Sequence, residues 1–262
     1  MLTAVGITDI GLCRDSNQDA YSITKLPGGA MLTVLCDGMG GENGGNVASE
    51  LTVKTITAQM QRGYHPSLGN LSIRALILSA VSVANAVVHD RAKKDETLSG
   101  MGTTAEVVLV RESTAYIAHV GDSSVFALSP RSGEGSGIEK LTSDHTWVQQ
   151  LLDQGRITAQ EADHHPERHY IVRAVGVAPT VTPDFDQFQM PPGGGLLVCS
   201  DGLTNHVEPD EIYEILMPAI QQGDMQGGVK NLVEAANRFG GADNITAVAV
   251  AQAADGEAQL NG

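Results

Sequence analysis

The chain has 262 residues, with 16 Lys and Arg against 31 Asp and Glu, which gives a formal net charge of −15 at pH 7. This length suffices for one large domain with a substantial core. The acidic balance argues against nucleic acid as a partner, because non-specific binding depends on Lys and Arg that neutralise phosphates. Phosphorylated substrates stay possible, provided that a bound divalent metal supplies local positive charge.

Three features bear on location. No continuous apolar run reaches the roughly 18–20 residues that span a bilayer. The opening MLTAVGITDIG lacks the basic and apolar regions of a signal peptide. Cys13, Cys36 and Cys199 lie far apart without a CxxC pair, which disfavours both a disulfide framework and a zinc knuckle. We therefore expect a soluble, cytoplasmic protein with no membrane partner.

The first half of the chain predicts strands around two helices. Residues 30–36 form an apolar run typical of a buried strand. Helical periodicity covers 46–61, and apolar residues recur every three to four positions over 71–91. Three strands separated by short turns follow, which indicates an antiparallel meander. They are predicted at 103–110, 114–120 and 124–128.

The second half predicts a loop at 129–137 and a short helical pair within 144–163. Further elements are predicted as a strand at 195–200, helices at 208–216 and 225–239, and a strand at 245–252. No repeat or linker interrupts the pattern, so we predict one domain over 1–252 and a flexible tail over 253–262. Strands in hairpin-like runs with helices in groups favour an α+β architecture of antiparallel sheets covered by helices.

The stretch LTVLCDGMGGENGG (32–45) first suggests a phosphate-binding glycine loop. A P-loop needs Lys shortly after its glycines, but the first lysine after Gly38 is Lys54. A dinucleotide fingerprint needs glycine where Asn43 stands. The glycines instead let the chain turn after the strand, so that Asp37 and the Gly38 carbonyl face one space.

Five aspartates recur next to predicted strands, mostly in glycine-containing turns: Asp19, Asp37, Asp122, Asp201 and Asp243. Hard cations such as Mg²⁺ and Mn²⁺ prefer oxygen ligands of this kind, with water completing the shell. Aspartate is also common in turns for local reasons, so the residues alone leave both interpretations open.

Six short motifs, taken in order, resemble the metal-dependent serine/threonine protein phosphatases of the PP2C (PPM) type, particularly the compact bacterial members. The motifs are RDSNQD (14–19), DGMGG (37–41), GTT (102–104), GDS (121–123), SDGLTN (200–205) and GGADNIT (240–246). The resemblance covers about residues 3–250. It implies an antiparallel β-sandwich flanked by helix pairs, in four layers α-β-β-α.

The resemblance also implies roles for residues at the metal site, which would hold two core ions of Mn²⁺ or Mg²⁺. Asp37 would bridge the two ions, with Asp201 and Asp243 completing the first site. The Gly38 carbonyl would join the second site, on which Asp19 would act through water. Two such ions lower the pKa of a shared water and so generate a nucleophile near neutral pH.

Two further roles follow from the resemblance. Asp122 would help Asp201 to hold a third, weaker ion. Arg14 would clamp the substrate phosphate through a bidentate contact. Residues 144–180 would form a flap beside the site.

The sequence departs from the family pattern at two positions. Many bacterial members have histidine where Glu42 stands, so a histidine that protonates the leaving group is not expected from this motif. Ser124 replaces a frequent arginine. The histidines of the flap, namely His164, His165 and His169, have a polar setting that favours surface or substrate contact over zinc binding.

The resemblance implies metal-dependent hydrolysis of phosphoserine and phosphothreonine in proteins, by a monomer that opposes a bacterial Ser/Thr kinase. One alternative is a catalytically weak regulator of the same fold that binds phosphoproteins. Another is a divalent-cation-dependent interaction module, which would hydrolyse nothing.

Overall fold

The structure is a computed structural model that describes residues 1–131, 135 and 137–252, apart from the side chains of residues 41–43 and 163. The predicted tail at 253–262 and part of the predicted loop at 129–137 lie outside the described residues. The side chain of Glu42 lies outside them too.

Two antiparallel sheets form the centre of the molecule. The first has the strand order β1–β11–β10–β7–β8, and the second has β2–β3–β5–β6–β9, with the short β4 paired to β3. The strands are β1 Leu2–Asp9, β2 Asp19–Lys25, β3 Met31–Met39, β4 Gly102–Thr103, β5 Ala105–Arg111, β6 Thr114–Val120, β7 Ser124–Leu128, β8 Ile138–Lys140, β9 Asp184–Gln189, β10 Gly195–Cys199 and β11 Ile245–Gln252.

Helices cover the outer faces of both sheets. The helices are α1 Gly41–Gly63, α2 Asn70–Lys94, α3 Trp147–Asp153, α4 Ala159–Asp163, α5 Asp201–Thr204, α6 Pro209–Gln222 and α7 Met225–Arg238. Strand alternation divides the core: Leu35 and Val198 point between the sheets. Their neighbours Val34 and Leu197 point outward, against α1 and α2 or against α6 and α7. This is the four-layer α-β-β-α sandwich that the resemblance implied.

Helix α2 is long and apolar enough to cross a membrane by length and composition alone. Our expectation from continuous apolar runs missed it, because Ser and Asn interrupt the apolar residues. Its buried face, which includes Ile73, Ile77 and Val81, packs in the core that α1, α2 and the second sheet share. In this structure α2 therefore serves as a core helix.

The strand register brings the five aspartates to one end of the sandwich. Asp19 begins β2 directly opposite Asp37 near the end of β3. In the first sheet, Cys199 at the end of β10 pairs with Ala247 near the start of β11 and with Ser124 at the start of β7. Asp201, which follows β10, is therefore near Asp122, which precedes β7, and near Asp243, which precedes β11.

Candidate metal centre and substrate groove

A groove of about 1160 Å³ opens at this end of the sandwich. All of the predicted site residues except Asp19 line it: Arg14, Asp37, Gly38, Asp122, Asp201 and Asp243. Asp19 is buried beneath, beside Asp37. The structure thus brings together residues that lie up to more than two hundred positions apart in the chain.

Two threonines fix the backbone of Asp37. Its amide donates to Thr104 Oγ1 at 2.8 Å. Its carbonyl accepts from Thr103 Oγ1 at 2.7 Å and from the Thr104 amide at 2.8 Å. The GTT motif at 102–104 therefore holds the backbone of Asp37 in place. Its first two residues form β4, which pairs with β3 just beyond Asp37.

Glycine is required at position 38 because two other backbone segments approach it closely. A Cβ at this position would stand 2.1 Å from the Gly45 carbonyl oxygen and 2.7 Å from the Gln18 carbonyl oxygen. The Gly38 amide also donates to the Gln18 carbonyl at 3.1 Å. The second glycine run of DGMGGENGG thus packs the start of α1 onto the strand that carries Asp37.

Asp19 is held rigidly by one of its two carboxylate oxygens. Oδ2 accepts hydrogen bonds from Ser200 Oγ at 2.8 Å and from Thr246 Oγ1 at 2.7 Å. Oδ1 is buried and has no protein partner. A buried carboxylate oxygen of this kind is costly unless another group meets it.

Asp201 and Asp243 come together because two turns pack closely. A Cβ on Gly202 would stand 2.0 Å from the Asn244 carbonyl oxygen, so glycine permits this approach. Asn205 Nδ2 donates to Asp201 Oδ2 at 3.0 Å. Asp243 Oδ2 accepts from Arg14 Nη2 at 2.6 Å.

Asp122 follows β6 at the edge of the groove. It is buried, and its Oδ1 has no protein partner. Asp122 and Asp19 therefore each present one unpaired buried oxygen to this end of the sandwich.

The carboxylates repel one another in a poorly solvated site. Burial is the largest cause that raises the pKa of Asp37 well above its usual range, and the charges of Asp19 and Asp201 add to the rise. Burial and then Asp201 raise the pKa of Asp122 in the same way. Burial raises the pKa of Asp19 to about 6 despite its two hydroxyl donors.

These residues fit divalent cations. The donors are hard carboxylate oxygens and a carbonyl, two buried oxygens lack partners, and a cation would remove the mutual repulsion. Among the residues that the structure describes, no three acidic, histidine or cysteine side chains form a ready-made cage for one ion. Water and phosphate oxygens would therefore complete the coordination, as is usual for Mg²⁺.

The structure also places residues at the groove that sequence reasoning did not assign. Arg168 of the flap lines it, as do Cys13 and His206. His169, for which the polar setting predicted surface or substrate contact, lines the groove too. Ser200 and Thr246, which hold Asp19, were missed as well. Only their presence inside the motifs SDGLTN (200–205) and GGADNIT (240–246) signalled Ser200 and Thr246, since each contact joins distant parts of the chain.

Comparison with known proteins identifies this arrangement. The sequence profile described as Protein phosphatase 2C matches residues 14–235. Protein phosphatase PhpP of Streptococcus pneumoniae is 34% identical over 244 residues, which cover 93% of this chain and 95% of PhpP.

Solved structures of similar fold point to the same family. The serine/threonine phosphatase of S. agalactiae superposes with a TM-score of 0.85 at 33% identity, covering 95% of this chain and 99% of that one. The catalytic domain of the serine/threonine protein phosphatase PstP, solved with two manganese ions, gives a TM-score of 0.77 at 31% identity, covering 95% of this chain and 97% of that one. The chain belongs to the protein phosphatase 2C family of metal-dependent serine/threonine protein phosphatases.

Proposed function

We propose that this chain hydrolyses phosphoserine and phosphothreonine in proteins, with two Mn²⁺ or Mg²⁺ ions in the groove and a third, weaker ion beside them. One observation carries the proposal: buried and half-buried carboxylates that repel one another line a single groove that also contains Arg14. The family membership and the two manganese ions in the PstP structure support it.

The core ions are assigned to the residues around Asp37. Asp37 would bridge both ions, Asp201 and Asp243 would complete the first site, and the Gly38 carbonyl would join the second. Asp19 would act on the second site through water, which suits its unpaired Oδ1. Asp122 with Asp201 would hold the third ion, which suits the unpaired Oδ1 of Asp122.

The bound ions would neutralise the carboxylates and the phosphate dianion and would activate a water for attack on phosphorus. Arg14 would bind phosphate oxygens through its planar guanidinium, a geometry that lysine does not reproduce. The Asp243 contact orients Arg14 in the groove and raises the pKa of the guanidinium, so the side chain stays charged. The phosphate contact is therefore a charge-assisted one at any physiological pH.

Cellular context is part of the same proposal. A Ser/Thr kinase must produce the phosphoproteins that this chain consumes, so we infer an opposing kinase. We further infer that the protein acts as a monomer in the cytoplasm. The burial of the apolar face of α2 in the core supports a soluble protein.

The direct test is release of phosphate from a phosphothreonine peptide and from p-nitrophenyl phosphate, with Mn²⁺ and with excess chelator. We expect hydrolysis with Mn²⁺ and loss of nearly all activity with chelator, restored by adding Mn²⁺ back. Binding of the phosphopeptide without turnover would favour the regulator. Binding of Mn²⁺ without either would favour the interaction module, and both results would contradict the proposal.

Replacing Arg14 should weaken substrate binding more than metal binding. Hydrogen bonds to charged groups contribute about 1.5–3 kcal/mol, so we expect Arg14→Ala to lower kcat/KM by about 10- to 100-fold, with Arg14→Lys in between. Mn²⁺ affinity by calorimetry should not fall, because Asp243 loses a competing partner. A matched control is Arg91→Ala, since Arg91 pairs with Asp95 and its side chain is 54% exposed, against 55% for Arg14. Unchanged kcat/KM in Arg14→Ala would contradict this role.

A further inference from the structure

Two buried histidines stack where the flap segment begins. His119 on β6 and His145 are 2% and 6% exposed, and their ring centroids lie 4.4 Å apart. His119 Nδ1 contacts the buried Glu106 on the adjacent β5, and its Nε2 contacts the Ser143 carbonyl at 2.8 Å. The segment that leads into the flap is therefore attached to the second sheet.

His145 makes a reciprocal pair of hydrogen bonds with Gly121. The His145 amide donates to the Gly121 carbonyl at 2.7 Å, and the Gly121 amide donates to His145 Nδ1 at 3.0 Å. Because Nδ1 accepts a hydrogen bond from the Gly121 amide, a neutral ring carries its proton on Nε2. Nε2 lies 3.1 Å from Asp184 Oδ2 and 2.8 Å from Arg173 Nη1. Burial, together with the charges of His119 and Arg173, lowers the pKa of His145 to about 4. The ring is thus neutral and has one tautomer at neutral pH.

The Gly121 turn has little freedom of its own. Gly121 has φ of +117°, and a Cβ there would stand 2.5 Å from Thr104 Cγ2. The next residue is Asp122, whose unpaired Oδ1 is buried at the groove. A contact that holds the Gly121 amide therefore also sets the direction from which Asp122 enters the groove.

The same histidine contacts a later part of the flap. Its carbonyl accepts from the Val172 amide at 2.8 Å, and the adjacent Thr146 pairs with Ile171. Arg173 Nη1 lies 2.8 Å from His145 Nε2 and donates to Asp184 Oδ1 at 2.6 Å. His145 thus connects the Asp122 turn, the start of the flap, residues 171–173 of the flap and the start of β9.

We propose that His145 is a positioning residue whose Nδ1 holds the Gly121–Asp122 turn, so that Asp122 is presented to the third, weaker metal site beneath the flap. The inference rests on the proposed function in one respect, namely that Asp122 is a ligand of that site. It assigns to His145 a role that is separate from any contact with metal or phosphate.

Two isosteric substitutions separate the two ring nitrogens. In His145→Asn, Oδ1 takes the place of Nδ1 and retains an acceptor for the Gly121 amide. In His145→Gln, the amide nitrogen takes the place of Nε2 and retains only the donor toward Asp184. Asp184→Ala removes the carboxylate that faces Nε2 and leaves the Gly121 contact intact, so it is the matched control.

The readout is binding of Mn²⁺ alone, followed by calorimetry and by electron paramagnetic resonance, with Asp122→Asn as reference. We expect His145→Gln to weaken the weakest Mn²⁺ site at least 10-fold, as Asp122→Asn does, while the tighter sites change less than 2-fold. His145→Asn and Asp184→Ala should retain the weak site within about 3-fold. A general packing role would instead affect the Asn and Gln variants alike.

A measurement on the unaltered protein keeps the inference testable even where a variant does not fold. Nuclear magnetic resonance of the ¹⁵N-labelled chain should show a coupling across the hydrogen bond from the Gly121 amide to His145 Nδ1. Absence of that coupling would overturn the inference, as would equal losses in the Asn and Gln variants. If Asp122→Asn removes the weak site and His145→Gln retains it, only the inference about His145 fails. If Asp122→Asn changes no Mn²⁺ site, the proposed role of Asp122 fails and the inference falls with it.

Discussion

Asp37→Asn is expected to abolish metal-dependent phosphate release and, at the same time, to stabilise the metal-free protein. Asn retains the shape of the side chain but not its charge, so the proposed bridging ligand of both core ions is lost. Metal ions contribute several kcal/mol to such transition states, so kcat should fall by about 10³-fold or more. Mn²⁺ should then raise the melting temperature of the wild type and scarcely that of the variant.

The expected gain in stability of metal-free Asp37→Asn over the wild type increases with pH. The folded-state pKa of Asp37 is raised by burial and by Asp19 and Asp201. A raised carboxyl pKa contributes stability that is complete below its unfolded value and is lost as pH rises through the folded value. Without metal, the wild type should therefore lose stability relative to Asp37→Asn as pH increases above the usual carboxyl pKa of 3.8. Each kcal/mol gained in the free energy of unfolding should raise the melting temperature of Asp37→Asn by roughly 2–4 °C.

A matched control is Asp90→Asn, because Asp90 lies on the exposed side of α2 and its replacement changes the net charge equally. It should leave activity and the pH dependence of the melting temperature as in the wild type. Full activity of Asp37→Asn would contradict the proposed site. A metal-free melting temperature that stays below the wild-type value at pH 8 would contradict the electrostatic account.

The strand-end aspartates were predictable because their local sequence context marks them. Each lies beside an apolar strand and most lie near glycine, so a pattern read along the chain identifies Asp37 and Asp201 as exceptional. The helix that became α1 was predicted at 46–61 but begins at Gly41, because glycines that usually disfavour helices form its first turn. Strand β11 was predicted with the bounds that the structure gives it.

The remaining features depend on contacts between distant residues. Strand β9 was missed because it is a largely exposed edge strand with the sequence DFDQFQ, which lacks an alternating apolar pattern. The contact of Ser200 with Asp19 joins positions 181 apart. The Gly121 contact of His145 likewise depends on how the flap folds back over β6, which no local pattern encodes.

Gly38→Ala is expected to remove activity through sterics alone, with every acidic ligand retained. The added Cβ would meet two backbone carbonyl oxygens, at 2.1 Å from Gly45 and 2.7 Å from Gln18. Neither oxygen belongs to a flexible side chain, so the start of α1 or the residue that leads into β2 must move. Overpacking of this kind costs about 1–3 kcal/mol, and the displacement falls on the residue that follows Asp37 and supplies the proposed carbonyl ligand.

The measurements for Gly38→Ala are the melting temperature with and without Mn²⁺, Mn²⁺ affinity by calorimetry, and kcat on p-nitrophenyl phosphate. We expect a lower melting temperature, at least 10-fold weaker Mn²⁺ binding and a kcat reduced by 10²-fold or more, since displacements of about 1 Å have effects of that size. Gly69→Ala is the control, because a Cβ at Gly69 meets nothing within 4 Å. Because Gly38 contributes no side chain, normal Mn²⁺ affinity and kcat in Gly38→Ala would mean that the close approach of α1 to β3 does not position the metal ligands. Loss of Mn²⁺ affinity in a folded Gly38→Ala would instead show that the glycine-rich turn, and not the acidic charge alone, builds the site.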